Sequence, residues 1–242
     1  MSRTTSVARR RSTEERTVRV LPANAILFRR RMLAWYRRHQ RPLPWRKTRD
    51  PYAILVSEIM LQQTQVARVE GYWTRFLDRY PTVEDLASAS ADAVHESWAG
   101  LGYYARARNL HGAAQRIVRD YDGVFPRDPQ ALRALPGIGR YTAAAVASIA
   151  FGADVGTVDT NISRVLGRVF RVRGAAKSSR RMRRVWSLAH ALVPKGRAGD
   201  WNQALMDLGA TVCTARAPRC PTCPVRIACA SRDRYAPSKP AS

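Results

Sequence analysis

LPGIGRYTAAAVASIAFG, residues 135–152, is the stretch that decides the fold of this 242-residue chain. Gly137 and Gly139 permit a tight turn and let the backbone approach a ligand closely. Arg140 follows at the start of an alanine-rich helix, where free N–H groups and the helix dipole favour an anion. The stretch therefore predicts a helical hairpin that holds a phosphate, although a Gly-x-Gly pattern alone also suits an ordinary helix connector.

Outside this hairpin the sequence is also helical. Apolar residues recur at helical spacing, as in segment 52–66, where Leu55, Ile59 and Val66 would share one face. No sustained β-branched alternation and no Asn-Gly turn indicates a strand. We therefore predict an all-α chain with short connections. Its helices are expected at residues 24–40, 52–66, 68–80, 83–98, 104–120, 129–135, 140–151, 160–171, 178–193 and 199–212.

Charge indicates the kind of partner. The chain has 42 Lys and Arg against 18 Asp and Glu, a formal charge of +24, which suits nucleic acid or an anionic membrane surface. The sequence shows neither an apolar run near the roughly 18 residues of a membrane span nor a secretory signal. The anion at the hairpin is thus expected to be a DNA phosphate. Residues 1–22 predict a disordered basic tail, with a transit peptide disfavoured by Glu14 and Glu15, and residues 233–242 a loose tail.

All four cysteines of the chain lie within seventeen consecutive positions, separated by six, two and five residues. Clustered thiolates bind a metal or an iron–sulfur cluster more readily than they pair as disulfides, which predicts a reducing, cytoplasmic location. A structural zinc is an alternative, although zinc favours paired Cys-x-x-Cys motifs and only one is present. The candidate ligands are Cys213, Cys220, Cys223 and Cys229.

Two acidic residues are candidates for catalysis. Glu58 lies between Ile54 and Leu61, and a carboxyl group against apolar neighbours has a raised pKa and can act as a general acid. From this segment alone, however, a solvated Glu is the favoured interpretation. Asp159 precedes a helix, where Asp is a preferred N-cap, and a cap can coexist with a catalytic role.

Polar and aromatic side chains beside basic residues suit contacts with bases. Gln62 and Gln63 could hydrogen-bond base edges, and Tyr103, between two helices, could stack on a base. Core packing or surface polarity is the simpler explanation for each of them taken singly.

Six segments together resemble one known family. In chain order they are SEIMLQQTQV, GLGYYARARNLH, LPGIGRYTAAAVASIAFG, VDTNISRVLGRV, WNQALMDLGA and the cysteine loop. They resemble the MutY-type adenine DNA glycosylases of the helix-hairpin-helix superfamily, which also contains endonuclease III. The resemblance spans roughly residues 24–230.

The resemblance implies two helical lobes with a DNA-binding cleft between them. Residues 43–153 would form a helical barrel that contains the hairpin 135–139, commonly with a bound monovalent cation. Residues 23–42 and 154–232 would form a lobe that carries a 4Fe–4S cluster on the four cysteines. The expected protein is a monomer that binds double-stranded DNA, close to the nucleoid, and no membrane.

The family roles map onto this sequence by motif. Glu58 matches the acid that protonates the leaving purine at N7, and Asp159 matches the carboxylate that stabilises the oxocarbenium-like sugar. Asn161 and Tyr141 match residues that support this site. The remaining matches are with DNA-contacting positions: the two wedges Gln63 and Tyr103, and the base-pocket residue Gln203.

One position separates two chemistries within the superfamily. Endonuclease III-like enzymes carry a Lys after the hairpin that attacks the sugar and permits strand cleavage, whereas this chain has Tyr141. The resemblance therefore implies a monofunctional glycosylase that leaves the abasic site uncut. A bifunctional glycosylase/lyase acting on oxidised pyrimidines and a non-catalytic zinc protein that binds DNA are weaker alternatives.

Two departures leave the base preference open. The sequence VDTN replaces the commoner VDGN, and the thirteen residues after Cys229 leave no room for the Nudix-like domain that reads 8-oxoguanine in typical members. A related branch of short enzymes removes thymine or uracil opposite guanine. The prediction is nevertheless adenine, opposite 8-oxoguanine or guanine, because LQQTQV and GLGYYARARNLH are MutY-like.

Overall fold

The computed structural model describes residues 23–235, which contain α-helices and short 3₁₀ turns and no β-strand. The all-α prediction is confirmed. Within this range no helix is both long and apolar enough to cross a membrane. The α-helices are α1 Ala25–His39, α2 Pro51–Met60, α3 Val66–Arg79, α4 Val83–Ser88, α5 Ala91–Ser97, α6 Ala105–Tyr121, α7 Pro129–Arg133, α8 Arg140–Ala150, α9 Thr160–Val169, α10 Ser179–Ala191 and α11 Ala198–Thr211.

Two of the predicted helices are wrong in extent. The predicted helix 52–66 ends at Met60, because the chain then turns through Gln63, whose φ is +58°. Val66 instead begins α3, so it does not share a helix face with Leu55. The predicted helix 83–98 is two helices, since the Ser90 hydroxyl accepts from Ala93 N and caps a new one.

Two tail predictions concern residues at the ends of the chain. The predicted tail 1–22 lies outside the described residues, as do residues 236–242 of the predicted loose C-terminal tail. The rest of that tail, residues 233–235, forms a turn. There the Tyr235 ring lies 4.4 Å from the Arg168 guanidinium, so this part is packed rather than loose.

Buried apolar side chains form two separate cores. One core is built from residues 43–149, including Trp98 and the buried face of α8. The other combines residues 25–36 of α1 with residues 158–228, including Trp201. We propose that these cores correspond to the two predicted lobes, with α1 joining the C-terminal part of the chain.

Helix α11 ties the two cores together, since it contacts α8 of the first core and α1 and α9 of the second. Its Asn202 amide donates to Ser148 Oγ at 2.9 Å. Its Asp207 carboxylate is fully buried and pairs with Arg41 and Arg46, both at 2.5 Å. Breaking such a buried pair typically costs about 3–5 kcal/mol, so these contacts hold the junction of the cores in a fixed geometry.

Candidate active site

Glu58 is buried in the first core, with 6% of its surface exposed. Nine of the ten residues of α2 are buried, because neighbouring helices cover the helix on all its faces. The solvated interpretation of Glu58 is therefore wrong. The carboxyl group lines a cavity of about 60 Å³, together with Arg46, Tyr141 and Gln203.

The environment of Glu58 keeps a proton available near neutral pH. Burial raises the pKa of Glu58 to about 7, and the negative charge of Asp159 adds to this rise. A hydrogen bond from the Tyr141 hydroxyl acts in the opposite direction. A carboxyl group with this pKa is suited to donate a proton to a leaving group.

Asp159 caps a helix and also interacts electrostatically with Glu58. Its Oδ1 accepts from Ile162 N at 2.6 Å, so it is the N-cap of α9. Its Oδ2 accepts from the Asn161 amide at 3.0 Å. Burial raises the pKa of Asp159, whereas these hydrogen bonds and the charge of Arg164 lower it. The cap predicted for Asp159 is confirmed, and the side chain still interacts with Glu58.

Tyr141, in the first turn of α8, connects the two acids. Burial raises the pKa of its hydroxyl well above the ordinary value, and the charges of Glu58 and Asp159 raise it further. The hydroxyl therefore stays protonated. It interacts with Glu58, and it also lies 3.7 Å from Met206 Sδ, to which it can donate. Residues from α2, from α8 and from the start of α9 thus meet at the junction of the two cores.

Arg164 supports Asp159 through Asn161. Its Nη2 donates to Asn161 Oδ1 and to Gly209 O, both at 2.7 Å, and its Nε donates to Cys213 O at 2.8 Å. Sequence reasoning missed Arg164, although its position three residues after Asn161 places the two on one helix face. A continuous set of hydrogen bonds therefore runs from the first cysteine to the acid at the start of α9.

Gln203 of α11 reaches the cavity from the second core. It is 8% exposed, and its Oε1 accepts from the Tyr36 hydroxyl at 2.8 Å. Because Oε1 faces Tyr36 of α1, the amide nitrogen of Gln203 points away from α1. Sequence reasoning also missed Arg46, which lines the same cavity and is oriented by Asp207.

The hairpin 135–139 joins α7 to α8 as the sequence predicted. Gly137 has φ +69°, and an added Cβ would lie 2.5 Å from Asn109 Cβ, so a larger residue cannot occupy this position. Gly139 is the N-cap of α8 and provides no side-chain cap. The backbone N–H groups at this helix start therefore face outward, where a phosphate can accept from them. Arg140 lies beside them, 3.8 Å from the Trp186 ring.

Two loops carry the predicted wedges. Gln63 is exposed and has φ +58°, and Tyr103 is 60% exposed and has φ +49°. Such left-handed conformations are uncommon for residues other than glycine, so both side chains are presented by constrained turns. Gln62 differs from Gln63 because it is half-buried and its carbonyl binds Arg106.

The four cysteines line a single cavity of about 30 Å³. Burial raises the pKa of Cys223 to about 11 and also raises the pKa of Cys220 and Cys229. Arg168 lies beside them, with Nη1 3.5 Å from Cys213 Sγ. In the described part of the chain, no three His, Cys, Asp or Glu side chains converge on one point where they could share a metal ion. Four thiols around one cavity are a donor set that suits a metal or an iron–sulfur cluster.

Comparison with known proteins agrees with this arrangement. Residues 56–191 match the family described as HhH-GPD superfamily base excision DNA repair protein. The human Adenine DNA glycosylase is 48% identical over 221 residues, which are 88% of this chain and 40% of the human protein. The Adenine DNA glycosylase of Mycobacterium tuberculosis is 44% identical over 86% of this chain and 68% of its own length. The chain thus spans about two fifths of the human relative's length.

Solved structures show the same fold. A thermostable thymine-DNA glycosylase is 34% identical with a TM-score of 0.80, covering 87% of this chain and 97% of that chain. An endonuclease III trapped as a covalent intermediate with DNA is 26% identical with a TM-score of 0.74, covering 86% of this chain and 95% of that chain. Sequence and fold agree that the chain belongs to the HhH-GPD superfamily of base excision DNA repair proteins.

Proposed function

We propose that this chain is a monofunctional DNA glycosylase that hydrolyses the N-glycosidic bond of a mispaired adenine. The observation that carries the proposal is the buried Glu58 carboxyl, which has a pKa of about 7 and interacts with both Tyr141 and Asp159. An acid held neutral beside a second carboxylate is the pair that base release requires.

The proposed reaction begins with extrusion of the adenine from the duplex, because its atoms cannot be reached inside the stack. Glu58 then donates its proton to N7 of the adenine, which makes the base a better leaving group. Asp159 stabilises the positive charge that develops on the sugar. Water then attacks C1′ of the sugar from which the base has departed, and Glu58, now ionised, orients this water and accepts the proton that it loses.

Three features support DNA as the partner. They are the hairpin backbone at the start of α8, the formal charge of +24, and the exposed arginines of the cysteine loop, Arg216, Arg219 and Arg226. The hairpin would hold a backbone phosphate together with a monovalent cation. An affinity that did not weaken as salt rises would contradict this assignment.

The four cysteines are proposed to ligate a 4Fe–4S cluster. When bound, the cluster would fix the loop that carries the three exposed arginines, and thiolate ligation would release the protons that burial now retains. No step of base release passes through it. Iron and sulfide analysis of the purified protein distinguishes the cluster from zinc.

The base that is removed can be tested with a duplex panel. We expect abasic-site formation with adenine opposite 8-oxoguanine or guanine, because relatives with 44–48% identity are named Adenine DNA glycosylase. Thymine and uracil opposite guanine form the second arm, because a thymine-DNA glycosylase shares the fold over 97% of its length. Release of thymine but not adenine would overturn the adenine assignment and keep the glycosylase class.

Tyr141 predicts that the strand stays intact after base release. We expect wild-type product to be cut only by added alkali, and we expect borohydride to trap no covalent complex, since a neutral phenol cannot form a Schiff base. Tyr141→Lys places an amine at this position and serves as the matched comparison. A borohydride-trapped adduct with the wild-type protein would contradict the monofunctional assignment.

A further inference from the structure

Arg106, in the first turn of α6, is a buried cation with an unusual set of partners. It is 7% exposed, and none of the ion pairs between residues 23 and 235 includes it. A buried charge is costly unless it is compensated. Here the compensation comes from backbone carbonyl groups of two different loops.

The first loop follows α2, the helix that carries Glu58. Arg106 Nη1 lies 2.7 Å from Met60 O and 2.5 Å from Gln62 O, with Ile59 O at 3.2 Å and Thr64 Oγ1 at 3.1 Å. Ile59 O and Met60 O lie at the C-terminal end of α2, where a positive charge is favourable, and Gln62 O belongs to the turn that follows. The guanidinium therefore caps the C-terminal end of α2 and fixes the turn that follows it.

The second loop precedes α6 and carries Tyr103. Arg106 Nη2 donates to Leu101 O at 3.2 Å and to Gly102 O at 3.0 Å. The same guanidinium lies 5.5 Å from the Trp98 ring and 5.4 Å from the Tyr103 ring. The planar group is thus held by both hydrogen bonds and aromatic faces.

We propose that Arg106 is a positioning residue for base extrusion, which holds the Gln63 loop and the Tyr103 loop in one geometry so that both wedges enter the same base step. The inference rests on the proposed function and adds to it a residue that acts before bond cleavage. Gln63 and Tyr103 each occupy a constrained backbone conformation, and the Arg106 side chain contacts both loops at once.

Arg106→Lys is the test, because lysine keeps the charge and loses the two-armed plane that spans both loops. We compare adenine release from a duplex mispair with release from the same adenine in an unpaired bulge. Misplaced wedges should slow release from the duplex about 100-fold, while release from the bulge should change only a few fold. Fluorescence of 2-aminopurine placed next to the target adenine reports extrusion separately from base release, because the probe brightens when its neighbour leaves the stack, and this rise should be lost in the variant.

Arg181→Lys is the matched control. Arg181 is also a buried arginine, 9% exposed, but it binds Ser163 and Ala176 in the second core. If a substitution only destabilises the fold, adenine release from the duplex and from the bulge should slow by the same factor. We expect this result for Arg181→Lys. Equal losses on duplex and bulge in Arg106→Lys would therefore overturn the proposal.

Two further outcomes are separated by the same experiment. If Arg106→Lys does not fold, Thr64→Val removes one contact of the guanidinium at similar side-chain volume, and it should show the same duplex-specific loss at smaller size. If wild-type protein raises the 2-aminopurine signal but releases no adenine, the glycosylase proposal is wrong. In that case the role of Arg106 is judged from fluorescence alone: an unchanged 2-aminopurine rise in Arg106→Lys would overturn the positioning role.

Discussion

The Asp159→Asn protein is expected to bind mispaired DNA as wild type does and to release adenine about 1,000-fold more slowly, a loss of about 4 kcal/mol in transition-state stabilisation. Asparagine is as good an N-cap as aspartate, so its amide oxygen can still accept from Ile162 N. The substitution removes the negative charge and retains the helix start. Single-turnover release and DNA affinity, measured in parallel, separate the two effects.

Asp159→Ala provides the comparison that isolates the cap. Alanine removes the hydrogen bond to Ile162 N as well as the charge, and loss of a cap costs about 1 kcal/mol of stability. We therefore expect both variants to lose activity to a similar extent and only the alanine variant to unfold more easily. Normal adenine release by Asp159→Asn would show that the carboxylate only caps α9 and takes no part in base release.

Glu58→Gln should abolish adenine release and, at pH 8, make the protein more stable. Burial raises the pKa of Glu58 from 4.5 to about 7. Below pH 4.5 the carboxyl is protonated in both folded and unfolded chains. As pH rises from 4.5 to about 7 the unfolded chain ionises first, so stability is lost. At 1.36 kcal/mol per pKa unit the loss reaches about 3 kcal/mol above pH 7.

The measurement is the free energy of unfolding at pH 4 and pH 8. Glu58→Gln should gain up to about 3 kcal/mol at pH 8 and little at pH 4. In wild type, adenine release should fall as pH rises through about 7, because the proton donor is lost. Glu96→Gln, a change at a highly exposed carboxylate, is the control and should alter neither quantity. A Glu58→Gln protein that is less stable at pH 8 would contradict the buried-acid assignment.

Local sequence patterns predicted most of the helices because their causes are local. The alanine-rich α8 ends at Ala150, and Gly152 follows with φ +69°, as a helix end favours. The break after Met60 was missed because the apolar spacing of Leu55 and Ile59 continues to Val66 across a polar turn. Periodicity alone cannot show that a turn interrupts the helix there.

Burial of Glu58 could not be predicted from its segment. Nothing in VSEIMLQQTQV states that α2 is covered on every side, since the covering residues come from distant helices. Arg106 and Arg164 were missed for a similar reason. Most of their partners are backbone carbonyls, which every residue type carries, so no motif marks them. The family resemblance predicted which acids take part, whereas their electrostatic setting required the structure.

Helix α6 connects the two parts of the molecule that are proposed to grip DNA. Arg106 in its first turn holds the two wedge loops, and Asn109, one turn later, lies directly against Gly137 of the hairpin. Residues three apart lie on one face of a helix, and a single helical turn does not stretch. On the proposed function, helix α6 would therefore set the distance between the wedge loops and the hairpin, so that the extruded nucleotide would lie a fixed number of phosphates from the one that the hairpin holds.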